Sequence, residues 1–196
     1  MLVLAIGGLG WLGYQLVASN LVARHAHTTE KDELRAQWAQ PGPEPTATPG
    51  AAFGLLRIPR FGDDYEVPIL SGTDLETLSR GVGHYSSTAL PGQVGNVALT
   101  GHRVTHGQPF SRLLELDAGD QVILETREAV FSYVIDQPPR NLTVPAGASW
   151  VLDPLPGQPG ATPTQALLTL TTAQDLLPTG DRSVGFGHLA STTNKR

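Results

Sequence analysis

Two stretches of this chain end apolar runs in residues that could do chemistry together. Asn96-Val97-Ala98-Leu99-Thr100-Gly101-His102 reads as a buried strand delivering an imidazole, and Leu168-Thr169-Leu170-Thr171-Thr172-Ala173 as a second strand, with Arg182 nine residues beyond Ala173. Side chains that do chemistry are often presented at such strand ends, where a rigid sheet meets a loop. An imidazole and a guanidinium in this arrangement suit a cysteine nucleophile. The imidazole holds a thiolate and protonates a leaving amine, while the guanidinium holds an oxyanion or a substrate carbonyl. Yet the chain contains no cysteine, and position 173, where the second strand ends, is alanine.

Each residue alone has a plainer reading. His102 fits a hydrogen-bonded histidine at a strand end, and Arg182 an exposed arginine in the Gly180-Asp181 turn, neutralised by Asp181; the case for a site rests on the two stretches together. His84, His102 and His106 offer three imidazoles, as zinc would need. His102 and His106, however, are four apart in a segment that Gly101 and Gly107 keep from being helical, so they need not share a face. No metal site and no cofactor is expected. Ser111, Thr171 and Thr172 carry hydroxyls, but no Gly-x-Ser-x-Gly elbow surrounds them, and a threonine needs more than a lone histidine as base.

Positioning these groups requires a sheet. Strands are predicted over residues 53–58, 65–70, 96–100, 121–126, 129–136, 142–144, 149–152, 166–172 and 183–189, with Arg127-Glu128 turning a hairpin and Pro68 marking its strand as edge or bulged. Short helices are predicted from Asp74, capped by Thr73 or Asp74 and stopped by Gly81 and Gly83, and over 108–116 from the spacing of Phe110, Leu113 and Leu114. Short, closely spaced strands broken by Gly and Pro argue an all-β domain over 53–196, a closed or nearly closed barrel with a sandwich as the alternative.

Ahead of it, Leu2 to Ala23 is apolar apart from Gln15, Ser19 and Asn20. At about 1.5 Å per residue, ~20 such residues just span a hydrocarbon core, so residues 1–23 are expected to be a signal-anchor helix in the membrane. A cleaved signal peptide fits less well, because no Lys or Arg precedes the run. Residues 24–52 read as a polar and then Pro-rich tether, in which Arg24 to Gln40 can continue a helix. The net charge of −5 offers no basic surface for a phosphate backbone, so nucleic acid is not an expected partner.

Thr100-Gly101-His102-Arg103, the following Gly107-Gln108-Pro109-Phe110 with Arg112-Leu113, and the LTLTT run before Ala173 with Arg182 beyond it resemble the sortases, most closely the actinobacterial class E type, from about Leu55 to Leu189. The family pattern is TLTTC, so Ala173 stands where the nucleophile should be. The resemblance implies an eight-stranded barrel with the substrate groove across one face. It implies His102 as acid, position 173 as nucleophile, Arg182 as oxyanion or substrate anchor, and Thr100 and Thr172 beside the substrate. In the family an aromatic often follows the histidine motif near position 106, where this chain has His106. The implied activity is that of a membrane-anchored transpeptidase with its domain on the extracellular side. It would cleave Leu-Ala-x-Thr-Gly or Leu-Pro-x-Thr-Gly sorting signals of surface proteins and pass the acyl group to an amine of the peptidoglycan precursor. With Ala173 the chain as written is expected to be catalytically dead. The alternatives are a Cys-less module that binds sorting signals or wall components, and a scaffold domain.

Overall fold

In the computed structural model, residues 19–42, 47–173 and 180–195 are described. Their elements are α1 (Ser19–Trp38), β1 (Ala52–Arg57), β2 (Glu66–Ser71), α2 (Leu75–Arg80), β3 (Val82–His84), β4 (Gly95–Gly101), β5 (Gln121–Glu125), β6 (Ala129–Gln137), β7 (Thr143–Pro145), β8 (Ala166–Ala173) and β9 (Asp181–Asn194). Neighbouring strands run in the order β6-β5-β1-β2-β3-β4-β8-β9, and β9 pairs back onto β6, which closes an eight-stranded barrel; β7 hangs on the outer end of β9. Closure removes the open edges that a sheet of this size would otherwise present.

β4 is buried at every position because both its faces are covered. Val97 and Leu99 point inward with Leu168 and Leu170 of β8, Val122 and Leu124 of β5, and Ile69 of β2. On the opposite face the buried polar groups are satisfied. Asn96 donates to the carbonyls of Val151 and Asp153 and accepts from Thr169. The segment 149–152, expected as a strand, is instead a 3-10 turn lying over this face, with Val151 packed on Val144 and Val184.

Three further features concern β3, the loop after His102 and Pro68. The short strand β3, hidden by Gly81 and Gly83 in the sequence, pairs parallel with β2; a Cβ at Gly83 would stand 2.4 Å from the Gly72 carbonyl oxygen, so only glycine permits that approach. The helix expected over 108–116 is reduced to a 3-10 turn, Leu113–Glu115, because Gln108 has φ 56° and the Phe110 amide is drawn back to His102 O. Pro68 lies within β2 where β3 has not yet begun to pair, so its missing N–H leaves no gap.

α1 is docked on the barrel rather than leading away from it as the start of a tether. Asn20, Ala23, His27 and Leu34 form one buried stripe at helical spacing. Arg35 and Lys31 pair with Glu66, and Arg80 pairs with Glu30. Such partly exposed pairs contribute about 0 to 1 kcal/mol each, so the buried stripe is what holds the helix. Among the described residues no helix is long and apolar enough to cross a membrane; the expected span over 1–23 falls almost entirely outside them.

Candidate active site

Sheet register brings the two stretches together. In the parallel pair β4/β8, Gly101 faces Thr172, and in the antiparallel pair β8/β9, Ala173 faces Arg182. Position 173 is thereby flanked by the His102 end of β4 on one side and by Arg182 on the other, each one strand spacing away, about 4.8 Å. Thr172 is buried and its hydroxyl donates to Gly101 O at 2.7 Å, which locks the ends of β4 and β8 together. Thr100 is buried between Gly83 of β3 and Thr171 of β8.

His102 is held in a small network of its own loop. Thr105 Oγ1 lies 2.9 Å from His106 Nδ1 and a long 3.5 Å from His102 Nδ1. The His102 and His106 rings stack with centroids 4.4 Å apart at 27°. His106 thus supplies the flat partner for the His102 ring. Rings stacked face to face in this way set their in-plane lone pairs side by side rather than toward one shared ion. His84 bonds Ala89 O and Thr88 instead, and no cluster of three metal-ligating side chains occurs among the described residues. The buried His102 Nε2 has no hydrogen-bond partner among the described residues. Burial, then His106, then the Arg182 guanidinium push the His102 imidazole down to about 4. It is therefore neutral near pH 7, able to accept a proton and, once protonated, to give it up readily. The register of β9 sets Arg182 opposite position 173, on the side away from β4.

The Sortase domain family matches residues 56–190, most of the chain, with every strand from β2 to β8 and parts of β1 and β9. The chain belongs to the sortase family. Sortase SrtE1 of Streptomyces coelicolor is 35% identical over 184 residues, covering 90% of this chain and 51% of the relative, so this chain spans about half the length of that protein. Sortase E of Streptomyces avermitilis superposes with a TM-score of 0.67 at 39% identity, covering 75% of this chain and 93% of that one. Sortase E1 of Streptomyces coelicolor, solved with a tripeptide in the active site, superposes with a TM-score of 0.65 at 33% identity over 75% and 93%.

As a sortase barrel, the molecule has parts around His102 that the sequence reading passed over. Asn20 and His27 of α1 lie against the loop after His102, and Thr105 and His106 hold the ring. The signal for α1 was present as the spacing 20, 23, 27, 34. An asparagine and a histidine interrupt what would otherwise be an apolar stripe, and hydrophobic periodicity alone does not register them.

Proposed function

We propose that this sortase domain is membrane-anchored through its apolar N-terminal run. In this reading it holds a sorting-signal peptide of the Leu-Ala-x-Thr-Gly or Leu-Pro-x-Thr-Gly class beside His102 and Arg182 and, with alanine at position 173, does not cut it. The observation that carries this reading is the register of β8 between β4 and β9, with a methyl side chain at the position both functional residues flank. With a thiol there, the sulfur would attack the carbonyl carbon of the signal's threonine while Arg182 holds the oxyanion. His102, having taken the proton of the thiol, would pass it to the glycine amine as the carbon–nitrogen bond breaks, and an amine of the cell-wall precursor would then displace the sulfur from the thioester, its proton returning through His102 to the sulfur. Every later step depends on that carbon–sulfur bond. A methyl group has neither a lone pair nor a titratable proton, so the bond does not form.

Binding requires none of these steps. The relative solved with a tripeptide in its active site supports a peptide as the ligand. The apolar run ahead of the docked helix supports an anchor that leaves the domain at the extracellular face, within reach of surface proteins. The test is fluorescence anisotropy with a labelled Leu-Ala-x-Thr-Gly peptide, paired with mass spectrometry of the peptide after prolonged incubation. Saturable binding with the peptide intact is expected. Cleavage by the chain as written refutes the inactive reading, and failure to bind any of a panel of sorting peptides leaves a scaffold domain.

A further inference from the structure

We propose that Asn20 of α1 is a positioning residue for His102, acting through the loop that follows it. The side-chain amide is used at both ends. Nδ2 donates to Val104 O at 3.3 Å, and Oδ1 accepts the Gly107 N–H at 2.9 Å. Those two backbone groups bracket Thr105 and His106, the residues whose hydroxyl and ring hold the His102 imidazole.

The loop needs such a hold. His106, Gly107 and Gln108 stand consecutively at φ 53°, 79° and 56°, in the left-handed region that residues with a Cβ adopt at a cost. Conformations of this kind persist where the surroundings over-determine them. Here Gln108 Nε2 bonds Val104 O at 2.8 Å from within the loop, Tyr65 bonds Pro109 O at 2.5 Å from β2's approach, and Asn20 reaches across from the helix. The helix presses close at the same point, for a Cβ on Gly107 would meet His27 Cε1 at 2.5 Å. Anchorage of α1 does not depend on Asn20, since Ala23, His27 and Leu34 are buried and Arg35 and Glu30 are paired further along. Asn20 can therefore be removed while the helix stays docked, and the change falls on the loop.

This inference rests on the reading of His102 as the acid–base group of the site, and it is tested on the imidazole itself. The full chain is labelled with 15N-histidine, and Asn20→Ala is compared with the parent by NMR and amide hydrogen exchange. The Gly107 amide is expected to exchange roughly 2- to 12-fold faster, the loss of one ordinary hydrogen bond. The His102 and His106 ring signals lose their mutual ring-current shifts, while amides around Leu34 keep the parent's protection. Asn20→Asp retains an acceptor for the Gly107 N–H and is expected to recover that protection and the ring shifts. Unchanged ring signals in Asn20→Ala overturn the proposal. So does an equal loss of protection around Leu34, which makes Asn20 a general stabiliser of the helix, and so does an Asn20→Asp protein with the ring signals of Asn20→Ala. Peptide is absent from every arm, so failure of the peptide-binding reading leaves these signals unaltered and the two failures are distinguishable.

Discussion

Acid should loosen α1 from the barrel through His27. This side chain is 6% exposed, its Nε2 has no partner among the described residues, and burial, then Lys31 and Arg24, push it down to about 4. The unfolded or undocked histidine titrates near 6.5, so between the two values the open state binds more protons than the closed one, and stability falls as pH falls. From pH 7.5 to pH 5 the linkage amounts to about 2 kcal/mol, an opening roughly 30-fold more frequent. Asp74, Glu115 and Asp117 are held below their ordinary values by hydrogen bonds from Thr77, Arg112 and Arg140, so their contributions are lost only at lower pH. The assay is the exchange rate of the Gly107 amide, corrected for its intrinsic pH dependence, because that group opens whenever α1 leaves, whether locally or in global unfolding. His102, His84 and His106 are also held low and add to the parent's slope, so the comparison is with His27→Gln. The variant should lose about 2 kcal/mol less than the parent between the two pH values. Equal losses in both proteins would refute the argument.

Asn96→Ala strands the Asp153 carbonyl behind β4 and leaves the Thr169 hydroxyl only its 3.1 Å bond to Val151 O; a loss of about 1 to 3 kcal/mol in urea unfolding is expected, and a neutral result would mean that water replaces the amide. Gly107→Ala brings a Cβ onto His27 at a backbone φ of 79°, and should raise amide exchange along α1 without disturbing β5 and β6. Arg182→Met removes a cation that lowers the His102 imidazole, so the NMR titration of His102 should move upward; a downward or absent shift would separate Arg182 from the site.

How far the sequence could be read differs between strands and connections. Strands β4 and β8 were legible because Val97, Leu99, Leu168 and Leu170 alternate with small or polar residues, the pattern a barrel wall imposes. Their register, which sets position 173 between His102 and Arg182, was implied by family likeness and is given physically by backbone pairing. In the loop after His102 the apolar spacing at Phe110, Leu113 and Leu114 suits a helix. Left-handed backbone at Gln108 and the tie from Phe110 to His102 O decide otherwise. Segment 149–152 has strand composition, yet only Val151 is fully buried, and a turn buries it without needing a partner strand. Residues 24–38 of α1 read as the start of a tether because they are mostly polar; the few residues that dock the helix are spread over four turns.

Position 173 is the point on which the account turns, and Ala173→Cys tests it most directly. A thiol of ordinary pKa, about 8.5, placed between a neutral imidazole and a guanidinium becomes more acidic and is the strongest nucleophile the site can hold. Intact-protein mass spectrometry is run after mixing Ala173→Cys with a Leu-Ala-x-Thr-Gly peptide, beside the parent and the Ala173→Cys, His102→Ala double variant. The expected result is a mass increase equal to the acyl fragment in the single variant, released by hydroxylamine, and none in the other two. An Ala173→Cys protein that binds the peptide yet forms no adduct and releases no glycine-terminated fragment would contradict the claim that position 173 is the nucleophile's place in this site.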